Sequence, residues 1–163
     1  MGDSITEQRL YSKFIETYLR VTKPDSNMRI IQFGWGGETA FGLLQRADND
    51  IISWKPGIVT LCYGMNDGRY IKYNDAIGND YEKNMRSVVK KLSDAGITVV
   101  VGTPGVVDSD TFKKATSPDD YNDNLGKLGE IDRKIAKEFN MPFANVHDLM
   151  LKAMKEAKAT LGN

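Results

Sequence analysis

Pro56-Gly57-Ile58-Val59-Thr60-Leu61-Cys62-Tyr63-Gly64-Met65-Asn66-Asp67-Gly68 is the stretch on which the fold turns. Ile58 to Cys62 is a short apolar run rich in β-branched residues, with turn-forming residues at both ends, which predicts a strand buried on two faces. Such strands belong to parallel sheets, and those sheets carry their ligand sites beyond the carboxyl ends of the strands. Ile97 to Val101, between Gly96 and Gly102, repeats the pattern. Between the two runs, Tyr81, Met85, Val88, Val89 and Leu92 keep helical spacing, and Gly96 falls where a left-handed cap is expected. Strand, helix and strand in that order predict a parallel pair joined by a crossover.

Upstream, Met28–Phe33 is apolar apart from Arg29 and Gln32 and runs into Gly34-Trp35-Gly36-Gly37, so it reads as a strand ending in a glycine loop. A helix follows from near Glu38. Nearer the start, Leu10, Tyr11, Phe14, Ile15, Tyr18 and Leu19 predict an amphipathic helix over residues 5–20, stopped by Pro24 and Asp25. Downstream, Tyr121, Leu125, Leu128, Ile131, Ile135 and Phe139 predict another helix, Pro142–Val146 a short strand, and residues 149–161 a last helix. This alternation gives one α/β domain over residues 1–163, with a parallel sheet covered on both faces.

Lys plus Arg and Asp plus Glu are equal at 22 each, so no net field draws the chain to nucleic acid or to an anionic membrane surface. Its apolar runs are too short to cross a bilayer. Cys62 stands alone, which excludes an internal disulfide, and its apolar run makes it a small buried hydrophobe rather than a reactive thiol. The third glycine of a dinucleotide fingerprint would fall at Thr39, and there is no Gly-Lys-Ser/Thr phosphate loop.

The loops expected beyond strand ends are Gly34–Thr39, Tyr63–Gly68 and Gly102–Asp108, joined by Gly2–Ser4 if a strand precedes it, and three of them carry motifs. Ser4-Ile5-Thr6-Glu7 fits a capping box opening the first helix, the reading that pattern alone favours, and is compatible with a serine exposed at a loop-to-helix junction. Gly34-Trp35-Gly36-Gly37-Glu38-Thr39 is either a tight turn or a loop aiming an unobstructed backbone amide at an oxyanion. Gly64-Met65-Asn66-Asp67-Gly68 is either a polar turn or the carrier of an Asn amide that donates to developing charge.

Taken in order, the three resemble the SGNH (GDSL-type) hydrolases. Gly2-Asp3-Ser4-Ile5 is similar to the first block of that family, Gly34 to Thr39 to the second, which usually ends Gly-Asp-Thr and here has Glu38, and Gly64-Met65-Asn66-Asp67 to the third. The resemblance implies a three-layer flavodoxin-like fold and hydrolysis of oxygen esters through an acyl-serine. It makes Ser4 the nucleophile, with the Ser4 and Gly37 backbone amides and the Asn66 side chain as the oxyanion hole. It implies no metal and no organic cofactor.

The family's fourth block, Asp-x-x-His, is not found: the only histidine is His147, and three residues before it stands Ala144. His147 therefore reads as a structural residue beside an Asp148 helix cap. Adjacent residues seldom turn their side chains on one another, so Asp148 is not expected to orient it. A strand is also expected ahead of Gly2, between Met28–Phe33 and Ile58–Cys62 in the sheet. The expectation is thus a fragment lacking the first central strand and the Asp-x-x-His loop, with little activity for want of a base. Trp35, Tyr70 and Tyr73 offer apolar faces to a sugar, which suggests a carbohydrate ester among small-molecule esters. The rival is a non-catalytic α/β binding domain that keeps the glycine loops.

Overall fold

The computed structural model describes residues 1–161. Within them the element order is α1 (Ser4–Glu7), α2 (Leu10–Thr22), α3 (Ala40–Asp50), β1 (Ile58–Cys62), α4 (Asp75–Asp94), β2 (Thr98–Gly102), α5 (Pro118–Glu138), β3 (Phe143–Ala144) and α6 (Val146–Leu161). The strands form a parallel sheet in the order β1-β2-β3, with Ile58 opposite Thr98, Cys62 opposite Gly102, and Val101 opposite Phe143. This is the α/β, flavodoxin-like arrangement expected from the sequence, with strands missing from it.

Helix boundaries follow side-chain caps. Asn74 accepts from the Ile77 N–H at the start of α4, and Ser117 accepts from the Asp120 N–H at the start of α5, where Pro118 occupies a position whose missing N–H costs nothing. The buried faces of α3, α4 and α5 supply Leu43, Ile77, Met85, Val88, Leu92, Leu128 and Ile135, which close over Val59, Leu61, Val99 and Val101 of the sheet. Each such side chain withdrawn from water is worth about 1.5–3 kcal/mol.

Several expectations need correction. β1 is buried on one face only: Val59 and Leu61 are covered, whereas Ile58 and Thr60 are exposed. The apolar side of α2 buries none of its residues fully: Tyr11 is half-buried on Thr6, but Leu10, Phe14, Tyr18 and Val21 stand exposed. Residues 5–20 are not one helix, because Arg9 is left-handed (φ 62°). The Thr6 carbonyl, which a continuous helix would bond to residue 10, is taken instead by Arg9 N and by Gln32 Nε2 at 2.8 Å.

Met28–Phe33 is not a strand. Its neighbour would lie between it and β1, and among the described residues that slot is taken by Met1 and Gly2. Gly2 bridges in parallel to both Gly34 and Cys62, Trp35 N donates to Gly2 O at 3.0 Å, and Met1 N donates to Thr60 O at 2.7 Å. A side chain on Gly2 would strike Thr6 Oγ1 at 2.1 Å and Cys62 O at 2.8 Å, so this close packing requires glycine.

Candidate active site

Ser4 opens α1 but does not cap it. Asp3 does, its Oδ1 accepting from the Ile5 N–H at 2.9 Å, so the capping-box reading of Ser4 is corrected: the serine sits one place inside the helix. Asp3 is buried, and burial raises its pKa against the lowering effect of that amide. Ser4 itself is half-buried. Because Gly2 is paired to Gly34 and Cys62, the Ser4 turn emerges next to the ends of the other two loops.

Those two loops are tied directly to each other. Asn66 Nδ2 donates to Glu38 O at 2.9 Å, and Asp67 accepts from Ala40 N at 2.9 Å and from its own loop's Gly64 N at 3.1 Å. Burial pushes the Asp67 carboxyl up to about 6 against those two amides, which favour its charged form. Gly64 is left-handed (φ 116°), and an added Cβ would meet Pro104 at 2.8 Å. Gly37 is also left-handed (φ 74°) and exposed, with nothing within 4 Å of an added Cβ, so the space beside its amide is open. Neither the Ser4 nor the Gly37 N–H is bonded within the described residues.

Glu38 turns its side chain inward. Its carboxylate takes Arg46 Nε and Nη2, each at 2.6 Å, and the Tyr63 hydroxyl at 2.6 Å. Arg46 also reaches Phe33 O and Asp50, and its guanidinium lies 5.8 Å from the centre of the Trp35 ring. Burial first, then the Glu38 carboxylate, holds the Tyr63 phenol far above its usual range. Sequence reasoning missed Arg46 and Tyr63, since nothing in spacing marks a partner eight or twenty-five residues away.

Behind Asn66 the loop is fastened to α5. Tyr121 donates to Met65 O, and Asn124 donates to Gly68 O at 3.0 Å and Ile71 O at 2.8 Å. Tyr70 is a member of this packing, with its ring 5.1 Å from that of Tyr121. Tyr73 packs against the core with Lys127 over its ring. Of the three aromatics suggested as sugar faces, Trp35 alone stays largely open, at 62% exposure.

His147 is structural, as expected. It is buried in the first turn of α6, its N–H donating to Thr103 Oγ1 at 2.7 Å and its Nε2 lying 3.0 Å from Asn122 O. Two expectations about its neighbour are overturned. Asp148 does approach the ring, with Oδ1 3.0 Å from Nδ1, because Nδ1 lies on the side of the ring nearest the backbone. Asp148 is not the cap either: Asn145 precedes the helix and accepts from Asp148 N at 3.2 Å. Nδ1 faces the Asp148 carboxylate and Nε2 the Asn122 carbonyl, so neither ring nitrogen is directed at Ser4. A shallow cleft of about 340 Å³ between α5 and α6 is lined by His147, but by none of Ser4, Gly37 and Asn66. The Cys62 thiol is pushed up to about 12 by burial, which fits the inert role read from its sequence context.

The chain belongs to the GDSL-like lipase/acylhydrolase family, whose model matches residues 1–162. Among curated proteins it is similar to an acetylxylan esterase of Geobacillus stearothermophilus, 22% identical over 151 residues that cover 89% of this chain and 66% of that protein. Among solved structures it is similar to BT4096, a gut microbial diltiazem-metabolizing enzyme, at 25% identity and a TM-score of 0.86, covering 98% of this chain and 38% of the other. Axe2, the acetylxylan esterase from G. stearothermophilus, superposes with a TM-score of 0.79 at 22% identity, covering 94% of this chain and 77% of its own. The chain thus spans just under two thirds of the curated relative and well under half of BT4096. Among the described residues, no helix is long and apolar enough to cross a membrane.

Proposed function

We propose that the chain carries the nucleophile and oxyanion groups of an ester hydrolase. Ser4 Oγ attacks the ester carbonyl, and the tetrahedral oxyanion is met by the Ser4 and Gly37 backbone N–H groups and by the Asn66 side chain. The alcohol leaves, and water then releases the acyl group from the serine. The observation that carries this reading is the Asn66 amide, fixed at the carboxyl end of β1 with one Nδ2 hydrogen spent on Glu38 O and the other unused.

A histidine must take the Ser4 proton and later activate water, and His147 is committed elsewhere. The base therefore comes from outside these 163 residues, and the chain alone hydrolyses esters weakly. An intact oxyanion hole without its base leaves a residual acceleration of about a thousandfold over water. The substrate class we favour is a carbohydrate acyl ester, on two supports: relatives named for acetylxylan, and the exposed Trp35 indole flanking the glycine loop.

The test is hydrolysis of p-nitrophenyl acetate by the chain and by Ser4→Ala. Weak turnover that disappears in Ser4→Ala, and is unchanged in a folded His147→Asn variant, is the expected result. Turnover equal in the chain and in Ser4→Ala would instead favour the binding-domain reading.

A further inference from the structure

Asn66 is gripped by two partners of opposite kind. Its Nδ2 donates to Glu38 O at 2.9 Å, while the Tyr70 hydroxyl donates to its Oδ1 at 3.0 Å. If the amide were reversed, Oδ1 would confront the Glu38 carbonyl, acceptor against acceptor. The carbonyl and the phenol therefore select one orientation, and that orientation keeps the second Nδ2 hydrogen available.

The chain goes to some length to bring Tyr70 there. Arg69 and Tyr70 are both left-handed, each at φ 57°, a conformation that residues with a Cβ rarely adopt twice in succession. Outlying backbone of this kind persists where surrounding contacts over-determine it. Here the Tyr70 ring stacks with Tyr121 at 5.1 Å and Phe112 at 6.4 Å, and Lys114 lies over it at 4.7 Å. On the other side of the turn, Asn124 holds Gly68 O and Ile71 O. Phenylalanine would satisfy the stacking and keep a ring under Lys114. Only the bond to Asn66 needs the hydroxyl.

We propose that Tyr70 is a positioning residue: its hydroxyl orients the Asn66 amide so that the free Nδ2 hydrogen faces the oxyanion. This rests on the reading of Asn66 as an oxyanion donor, and its test has an arm that does not depend on turnover. The variants are Tyr70→Phe, Asn66→Ala and the double variant, all in the full chain.

In amide NMR of isotope-labelled protein, the Asn66 side-chain pair is assigned by its loss in Asn66→Ala. The expected result for Tyr70→Phe is that this pair shifts and exchanges about tenfold faster with water, while other side-chain amides and the denaturation midpoint stay in place. In p-nitrophenyl acetate hydrolysis, Tyr70→Phe lowers kcat about tenfold with KM unchanged, less than the roughly hundredfold or more of deleting a donor outright. It costs nothing further in the Asn66→Ala background. An Asn66 pair that does not move in folded Tyr70→Phe would overturn the proposal. A kcat loss that persists in full without Asn66 would also overturn it, since the hydroxyl would then act elsewhere. Absence of any Ser4-dependent turnover counts against the ester-hydrolase reading, and the NMR arm still decides whether Tyr70 orients Asn66.

Discussion

Glu38→Gln is the perturbation that most directly tests how the second loop is held. The carboxylate receives Arg46 Nε on Oε1, and Arg46 Nη2 and the Tyr63 hydroxyl on Oε2, all at 2.6 Å. The side chains of Glu38 and Arg46 are only 6% and 16% exposed, so the pair is largely out of water. Glutamine keeps the shape but offers one oxygen and one NH2, and whichever way it turns, the NH2 meets a donor. Removing one charge from a buried pair costs about 3–5 kcal/mol, chiefly for the partner left behind. Arg46 retains Asp50 at 3.0 Å and Phe33 O at 2.9 Å, which places the loss near the lower end, about 3 kcal/mol. In urea denaturation at pH 7, with a slope of about 2 kcal/mol per molar, the midpoint should fall by about 1.5 M with the slope unchanged. Glu38→Asp, which installs the usual family residue, should also destabilise, because a side chain one methylene shorter cannot keep all three bonds. A midpoint change under about 0.3 M for Glu38→Gln would refute the assignment of this pair as the loop's anchor.

Two further outcomes follow from groups under the site. The Asp67 carboxyl is raised by burial to about 6, so between the ordinary carboxylate range near 4 and pH 6 the folded chain holds a proton that the unfolded chain releases. Stability from this group is therefore full below pH 4 and lost as pH rises, by about 2–3 kcal/mol at pH 7. Fully buried Asp132, bonded to the Tyr81 hydroxyl and raised well above its usual range by burial, acts in the same direction. Urea midpoints from pH 4 to 7 should fall less steeply in Asp67→Asn than in the parent, and parallel profiles would count against the claim. Gly68→Ala places a Cβ 2.7 Å from the Tyr121 hydroxyl, which is fixed on Met65 O. That overpacking should cost about 1–3 kcal/mol, read as a lower melting temperature, and an unchanged melt would show that the Tyr121 contact yields.

How much of this was legible in the sequence depends on which interactions carried each part. β1, β2, α4 and α5 were recognised as elements because their apolar period is imposed by the buried clusters they line, and periodicity records such burial directly. Met28–Phe33 has the composition of a strand, but a strand exists only with a partner to bond to, and that information lies outside the segment. The face of β1 that stays open, and the exposed side of α2, fail for the same reason: a pattern shows which side a segment could bury, not that something covers it. Ser4, Gly37 and Asn66 were proposed from ordered sequence blocks, each at the start of a loop or turn. Their supports, Arg46, Tyr63, Tyr70 and Asn124, left no local signal, because each acts through side-chain hydrogen bonds that no apolar period or loop motif records.

That division also explains the uneven anchoring of the proposed site. The Asn66 and Glu38 loops are held by groups wholly or largely out of water: Tyr121 and Asn124 are buried, the Glu38 carboxylate is satisfied three times over, and Asp67 spans both loops. Moving either loop would strand several polar groups at about 1–3 kcal/mol each, so the oxyanion side is expected to behave as one rigid unit with the core. The Ser4 side is different in kind. Its turn is fixed by the two-sided pairing of Gly2 and by the Asp3 cap, and it continues into α2, which buries none of its residues. Local opening costs least where little apolar surface is buried, so amide exchange should be fast across residues 10–22 and slow at Gly64–Ile71. In this arrangement, rigidity sits with the groups proposed to stabilise charge, and the turn carrying the proposed nucleophile is tied to the sheet through Gly2.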